Sequence, residues 1–309
     1  MKKLSFVLLA LLTCPSYATV YDLDVAMNNV RTACSGINSK MDHLKLMAGI
    51  NTGIGAVGTV TGAVALGTGI AKAQKDKEID DLMAQIAKKL KEAPDSSEQD
   101  QVELIEEFRK NWVDYSKQID KESQDKLNEL TEESKTLGNV RTGMLAANTA
   151  TSVAGAVISS QNKANGSIKE AIDNCIVATD DLRESMMQAR IDGRDTTVAK
   201  RIVDACSGYK SADLSKINKL ATGSMVSSSI GAVAGGVGTI TSAVANTDAT
   251  RKDDSKAGQA KEKNLNTASN VLSGVTTATS AVSTVLNGVQ IATIKKVVSI
   301  SESCEEELQ

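Results

Sequence analysis

Histidine, the side chain that most often serves acid–base and zinc chemistry at neutral pH, occurs once in this chain of 309 residues, at His43. A catalytic triad or a zinc site with several histidines would have to rely on this one residue. His43 lies beside Asp42 in a predicted helix, which is typical of a surface position. Adjacent carboxylates such as Asp80 and Asp81 diverge by about 100° around a helix, so we interpret them as solvated faces. These residues predict that the chain is not an enzyme.

One glycine pattern matches a nucleotide-binding motif. Residues 53–58 read Gly-Ile-Gly-Ala-Val-Gly, and Asp76 follows at about the distance of the acidic residue that contacts a ribose. The motif requires a strand before the glycines and a β-α-β succession after them, and the sequence predicts neither. We therefore interpret these glycines as positions of close helix packing, and we predict no cofactor and no metal ion.

The first eighteen residues have the pattern of a bacterial secretory signal peptide. Two lysines precede a largely apolar run over residues 4–12, and Ser16 and Ala18 are the small residues that cleavage requires at positions −3 and −1. We predict cleavage after Ala18 and a periplasmic or secreted protein. Cys14 leaves lipidation open as an alternative, although Thr13 is a poor match to the small residue expected before a lipidated cysteine.

Four cysteines follow the signal peptide, and an even number in an oxidising compartment indicates disulfide bonds. In an antiparallel hairpin, the numbers of facing residues have a constant sum. Cys206 and Cys304 have their midpoint at 255, inside a charged segment that suits the tip of a hairpin. We therefore predict that these two residues pair, which leaves Cys34 to pair with Cys175. Buried free thiols are the alternative.

The pairing of Cys34 with Cys175 is harder to place on a simple hairpin. Its midpoint is near residue 104, about ten residues beyond the helix break expected at Pro94. The mismatch requires an irregular stretch, and Ser35 with Gly36, or a break in the small-residue segments, would supply it.

The same landmarks occur twice along the chain in the same order, which predicts two copies of one folding unit. Each copy has a Cys-Ser-Gly start, a glycine-rich run, a charged spacer, a Thr-Ala-Thr-Ser segment and a final cysteine. We place the copies at residues 19–193 and 194–309. The only two prolines precede residue 95, so long helices can run unbroken. The predicted fold class is all-α, with two tandem repeats of a long antiparallel helical hairpin whose packing segments are rich in Gly, Ala and Thr. A charged coiled-coil hairpin over residues 72–136 extends the first repeat.

Four long stretches carry no charge: residues 46–71, 142–162, 220–247 and 264–294. Each is long enough to cross a membrane. A glycine costs a helix about 1 kcal/mol relative to alanine, and close helix packing would offset that cost. We predict such packing at six positions: Gly49, Gly53, Gly58, Gly62, Gly231 and Gly235. No Trp or Tyr lies at the ends of these stretches, so we favour a soluble bundle and keep a membrane hairpin as the alternative.

The charged spacer of the first copy has apolar residues at steps of three and four, which predicts an amphipathic helix. Those before Pro94 are Ile79, Leu82, Ile86 and Leu90. Phe108, Trp112 and Tyr115 continue the pattern, and they are three of the five aromatic residues that follow the signal peptide. One interpretation packs them against the partner helix. The other makes them a docking surface, because Trp and Tyr are favoured anchors in interfaces.

These features favour an exported, non-enzymatic structural or protein-interaction protein, a helical scaffold closed by disulfides. Its partner would be an unknown protein or a second copy of the chain. The formal net charge of −3 gives no electrostatic reason to expect nucleic acid or an anionic membrane as the main partner. The alternative is a membrane-inserting, pore-forming-like protein that acts through the Gly-rich hairpins. Long secreted hairpins with a small-residue apolar segment resemble in a general way the α-helical pore-forming toxins, a resemblance that carries over no site residue.

Overall fold

The computed structural model describes residues 22–91, 119–251 and 255–309, which form helices and short connections and contain no strand. The all-α class predicted from the sequence is confirmed. The predicted signal peptide and the aromatic residues Phe108, Trp112 and Tyr115 lie outside the described residues. In chain order the helices are α1 (Leu23–Cys34), α2 (Ile37–Lys91), α3 (Lys121–Gln161), α4 (Gly166–Ile191), α5 (Thr197–Cys206), a short 3-10 helix (Ser207–Ser211), α6 (Leu214–Ala245), α7 (Asp248–Arg251) and α8 (Lys256–Leu308).

Local sequence signals set the ends of several helices. The side chain of Asp22 accepts a hydrogen bond from a backbone amide in the first turn of α1, and Asp120 does the same for α3. Such contacts satisfy amides that have no partner within the helix. Gly36, between α1 and α2, has a φ angle of 74°, and Gly193, after α4, has one of 76°. Residues with a side chain rarely adopt this left-handed backbone, so glycine permits the change of chain direction at both places.

The described chain divides into two compact units. One, which we call the cysteine unit, contains residues 22–45, 164–217 and 292–309. The other, the bundle unit, contains the described residues of 46–163 and 218–291. Each unit includes residues of both predicted repeats.

The cysteine unit has an apolar core. Helix α1 packs against α4, and α4 packs against α5. Val30 of α1 and Leu182 of α4 are completely buried, together with many other aliphatic side chains. Burying such a side chain stabilises a folded protein by about 1.5–3 kcal/mol, so this core accounts for the packing of the short helices. The predicted disulfides both lie in this unit and join Cys34 to Cys175 and Cys206 to Cys304.

The bundle unit contains α3, most of α2 and long parts of α6 and α8. Helices α2 and α3 form an antiparallel hairpin. Asn51 is hydrogen-bonded to Ser159, and Asp76 to Ser134, and in each pair the residue numbers add up to 210. This register is centred on residue 105, and the helix break predicted at Pro94 lies outside the described residues. The numbers of Cys34 and Cys175 add up to 209, so their pairing requires no net shift from this register.

The second hairpin of the bundle unit consists of α6 and α8. Leu286 lies beside Gly223, and Leu272 lies beside Gly238. The residue numbers of these pairs add up to 509 and 510, as expected for an antiparallel register. The midpoint near 255 agrees with the tip predicted from the sequence. The two hairpins pack against each other.

An apolar cluster occupies the part of the bundle unit where α2 and α3 become rich in charge. Ile79 and Ile86 of α2 are buried with Leu127 and Leu130 of α3. Leu82, which belongs to the same predicted stripe, is half-buried against them. These contacts are the described part of the predicted extension over residues 72–136, and its remainder lies outside the described residues.

Candidate functional site

The inward face of the bundle unit is polar. On α8, seven successive inward positions at alternating steps of four and three are buried polar residues. They are Ser269, Ser273, Thr276, Ser280, Ser283, Asn287 and Gln290. Helix α2 has Asn51, Gly55, Gly58 and Gly62 at the same spacing. A helix packed in water normally turns its apolar residues toward the core, so these stretches of α2 and α8 have the inverse arrangement.

One hydrogen-bonded layer joins all four long helices. The side-chain amide of Asn51 in α2 lies 2.6 Å from Ser159 Oγ in α3 and 3.3 Å from Ser224 Oγ in α6. It also lies 3.1 Å from Asn287 Oδ1 in α8. All four side chains are completely buried. A buried polar group is destabilising without a partner, so this layer selects the register in which the four helices meet.

Further polar contacts occur on both sides of the Asn51 layer. Asn162 and Gln290 form two hydrogen bonds: Asn162 Nδ2 donates to Gln290 Oε1 at 3.2 Å, and Gln290 Nε2 donates to the Asn162 carbonyl at 2.9 Å. On the opposite side of the Asn51 layer, Ser280 Oγ donates to Asn148 Oδ1 at 3.3 Å. The polar interior thus extends over several turns of each helix.

Four of the six glycines predicted to mark close packing lie where a side chain would collide with a neighbouring helix. A Cβ atom at Gly62 would be 2.5 Å from the side-chain nitrogen of Asn148. At Gly58, Gly231 and Gly235 the nearest atom would be 3.0, 2.8 and 2.6 Å away. Small residues at such interfaces bring helix backbones close together and increase their van der Waals contact.

The other candidate residues of the sequence have different surroundings. Gly49 and Gly53 are exposed, and no described atom of a neighbouring element lies within 4 Å of the position of their Cβ. His43 is exposed on α2. Residues 53–58 lie within α2, whereas a nucleotide-binding glycine pattern needs a turn between a strand and a helix.

The outward face of the bundle unit is apolar. Among the described residues, twenty large aliphatic side chains of this unit are exposed, and each of the four long helices contributes to them. Val233 of α6 and Val285 of α8 are 70% and 64% exposed. The twenty residues, which we call the apolar belt, are Leu46, Ile50, Val57, Val60, Val64, Ile70, Val140, Val153, Val157, Val226, Ile230, Val233, Val237, Ile240, Val244, Val271, Val275, Val282, Val285 and Val289.

A buried ion-pair network lies next to one end of the uncharged stretch of α2. Lys72 is only 1% exposed, and its Nζ lies 2.6 Å from a carboxylate oxygen of Asp76 and 3.4 Å from one of Glu262 in α8. Asp76 also accepts a hydrogen bond of 2.5 Å from Ser134 in α3. Three helices are thus tied together around one buried ammonium group, which needs such partners to be stable.

Arg141 of α3 also points into the bundle interior. Its Nη2 donates to the carbonyl of Asn266 at 3.2 Å. A Cβ atom at Gly69 of α2 would be 3.0 Å from Arg141 Nε, so glycine at this position makes room for the guanidinium group.

No protein-family model, curated protein or solved structure matches the chain. By length and composition, two helical stretches, Leu23–Lys88 and Thr197–Ala245, each contain a segment apolar enough to cross a membrane. Only 28% and 39% of these segments are buried, whereas the core helix of a soluble protein is mostly buried.

Sequence reasoning missed the polar inward face and the apolar belt. The signal was present, because Ser, Thr, Asn and Gly recur at alternating steps of three and four through the uncharged stretches. A search for apolar stripes does not find it, since the residues with helical spacing are the polar ones and the valines lie between them.

Proposed function

We propose that the chain is an exported, membrane-inserting helical protein whose bundle unit lies in a lipid bilayer. One observation carries the proposal: in its uncharged stretches the bundle unit buries mainly Ser, Thr, Asn and Gly and exposes most of its Val and Ile side chains. Water favours the opposite arrangement, because exposed aliphatic surface costs about 25 cal/mol per Å². This geometry supports the membrane alternative over the soluble scaffold that the sequence favours.

The dimensions of the apolar belt support lipid as the medium around it. At about 1.5 Å per residue, the belt spans about 27 Å along α6 (residues 226–244) and along α8 (residues 271–289). Along α2 (residues 46–70) it spans about 36 Å. The hydrocarbon core of a bilayer is about 30 Å thick. A protein partner would cover one face, whereas the belt includes outward residues of all four helices, which is the arrangement that surrounding lipid requires.

The interior of the bundle unit suits a membrane helix bundle. Lipid tails are as apolar as leucine, so helices in a bilayer associate through small residues and through hydrogen bonds between Ser, Thr and Asn side chains. The close approach at Gly62 is a small-residue contact of this kind, and the Asn51 layer supplies hydrogen bonds of this kind. Lys72 lies just outside an uncharged stretch and has two carboxylate partners, as expected for a buried charge at the edge of the hydrocarbon.

The cysteine unit has the features of a domain in water. Its core is apolar, and exposed ion pairs such as Lys200 with Asp204, at 2.7 Å, lie on its surface. Its two disulfides are compatible with an oxidising compartment. We therefore assign this unit to the aqueous phase outside the cytoplasm, in agreement with the signal peptide predicted for residues 1–18. The activity that we expect is non-enzymatic, a change in the permeability of the bilayer.

Membrane fractionation with a carbonate wash tests the proposal directly. We expect the protein without its signal peptide to stay with the membranes after the wash, and the purified protein to release a dye from liposomes. Release of the protein into the wash as a monodisperse soluble species, with no dye leakage, would contradict the proposal and leave the soluble scaffold.

The alternative of a soluble scaffold is tested separately, with two aromatic residues that lie outside the described part of the chain. If the protein is soluble, Trp112→Ala together with Tyr115→Ala should weaken capture of a protein partner and leave the helix content nearly unchanged. Loss of helix content instead would show that these aromatic side chains belong to a core.

A further inference from the structure

The two disulfides of the cysteine unit lie side by side. The Sγ atoms of Cys34, Cys206 and Cys304 are within 4.8 Å of one another, and Cys175 is bonded to Cys34 at 1.99 Å. All four cysteines are completely buried. They come from four different helices, because Cys34 ends α1, Cys175 lies in α4, Cys206 ends α5 and Cys304 lies in α8. The fold thus gathers every described sulfur atom of a cysteine into one cluster.

The spacing of Cys34, Cys206 and Cys304 is close to that of thiolates around zinc, and Cys175 is held next to them by its bond to Cys34. Zinc binds sulfur at about 2.3 Å in a tetrahedron, which places the sulfur atoms about 3.8 Å apart. Once the disulfides are reduced, the two sulfur atoms of each bond would have to separate, and Cys34 Sγ would have to approach those of Cys206 and Cys304 by about 1 Å or less. Side-chain rotation with a small adjustment of the helices covers displacements of this size.

We propose that Cys34, Cys175, Cys206 and Cys304 of the reduced chain form a single tetrathiolate site for Zn²⁺. Zinc has no redox chemistry and accepts tetrahedral thiolate coordination without strain, which suits a closed and buried site. The ion connects the same four helices as the disulfides do. The disulfides and the metal are therefore alternative ways to close the cysteine unit, and the metal closes it in a chain that has not yet been oxidised.

The conversion is balanced in atoms and electrons. A water-soluble phosphine reduces each disulfide by two electrons: the S–S bond breaks, two thiols form, and the phosphine takes an oxygen atom from water to become a phosphine oxide. Binding of Zn²⁺ then forms four Zn–S bonds and releases four thiol protons to the solvent, so the affinity rises with pH.

Metal titration of the full chain without its signal peptide tests the site. The protein is reduced with the phosphine without oxygen and titrated with Zn²⁺, and in parallel with Co²⁺ as a coloured probe. We expect one Zn²⁺ per chain, the visible absorption of a tetrahedral cobalt thiolate, and no uptake by the oxidised protein. Cys304→Ser should lower the affinity by at least about 100-fold, because even the loss of an outer-shell partner costs 10- to 100-fold. Ser35→Ala, an exposed change next to Cys34, should leave the affinity unchanged.

Two results would overturn the site. One is a reduced, folded protein that takes up less than one Zn²⁺ per chain or that binds the ion equally well after Cys304→Ser. The other applies if the chain unfolds on reduction. Zn²⁺ should then restore its helix content, because metal binding would supply the free energy of folding. A reduced, unfolded chain whose helix content does not return with Zn²⁺ would also exclude the site. Neither readout depends on membrane insertion.

Discussion

The cysteine unit and the uncharged stretches of the bundle unit are built from the same kind of helix, yet the first buries mainly aliphatic side chains and the second mainly polar ones. Helix α8 shows the change within one element. From residue 269 to residue 290 its buried positions are Ser, Thr, Asn and Gln, whereas Ile294, Val297, Val298 and Leu308 are buried further on. The buried positions keep a spacing of three and four except at the adjacent Val297 and Val298, and the later segment also buries Ser301 and Cys304. Spacing thus sets which residues share a face, and the surrounding medium sets which chemistry that face must have.

The two units are stabilised by different interactions. The cysteine unit gains free energy by removing aliphatic surface from water, and its disulfides restrict the unfolded chain. The uncharged stretches of the bundle unit leave most of their large aliphatic side chains outside and rely on close backbone contact at glycine and on hydrogen bonds such as those of Asn51. The first three of the following experiments each compare a change in one type of environment with a matched change in the other.

The largest effect is expected from a charge in the apolar belt. Val233 lies near the middle of the belt on α6 and is 70% exposed, while Ile191 in the cysteine unit is 78% exposed. A lysine at the centre of a membrane helix costs about 2.5–3.5 kcal/mol, whereas one in water costs little. We therefore expect Val233→Lys to release most of the protein from membranes in a carbonate wash and to reduce dye leakage by about 100-fold. Ile191→Lys should change neither quantity, and equal behaviour of the two variants would remove the distinction between the units.

A smaller effect is expected from adding one methyl group to the interior of the bundle unit. At Gly62 the new Cβ would meet the Asn148 side chain at 2.5 Å and the backbone of Thr277 at 3.1 Å. Overpacking of this kind lowers the free energy of unfolding by about 1–3 kcal/mol. Gly67→Ala is the control, because its Cβ meets no described atom, and it should raise stability by up to about 1 kcal/mol. Thermal unfolding followed by circular dichroism measures both, and shifts of the same sign would show that the interior is not closely packed at Gly62.

The Asn51 layer should contribute less than the glycine contacts. Asn51→Ala removes the amide that reaches the other three helices, and we expect the free energy of unfolding to fall by about 0.5–2 kcal/mol. Thr52→Ala is the neighbouring control, since the Thr52 hydroxyl only donates to the carbonyl of Ala48 in its own helix. An equal loss in both variants, measured in the same unfolding assay, would mean that the layer does not join the helices.

The last effect is absent at neutral pH and concerns the cysteine unit. Burial raises the pKa of Tyr209 from its ordinary value of 10.0 to about 12. Because folding favours the neutral phenol, its stabilising contribution is complete below pH 10 and is lost as the pH rises toward 12. Tyr209→Phe should remove this part of the pH dependence, which tyrosinate absorbance and circular dichroism measure together. The described part of the bundle unit contains no tyrosine, so an unchanged alkaline transition in the variant would assign that transition to another group.

Much of the fold is predictable from the sequence because it depends on local order along the chain. The prolines lie outside the uncharged stretches, so helices can run through them, and the charged segment around residue 255 marks the tip of the second hairpin. The rule that facing residues have a constant sum then pairs Cys206 with Cys304, as observed. The tip of the first hairpin is less predictable. Pro94 suggests one position, and the register of Asn51 with Ser159 places the midpoint at residue 105.

The sequence by itself determined the helical class, the hairpins, the disulfide pairs and the uncharged stretches, because each depends on spacing within one or two helices. Only the tertiary structure decided that Asn51 points inward while Val233 points outward. Helical spacing defines two faces, and packing against three other helices selects the buried one. The meeting of Cys34 with Cys206 and Cys304 is likewise a result of tertiary packing. Residues so distant in sequence have no common spacing, and only the contact between four helices brings their sulfur atoms within 4.8 Å.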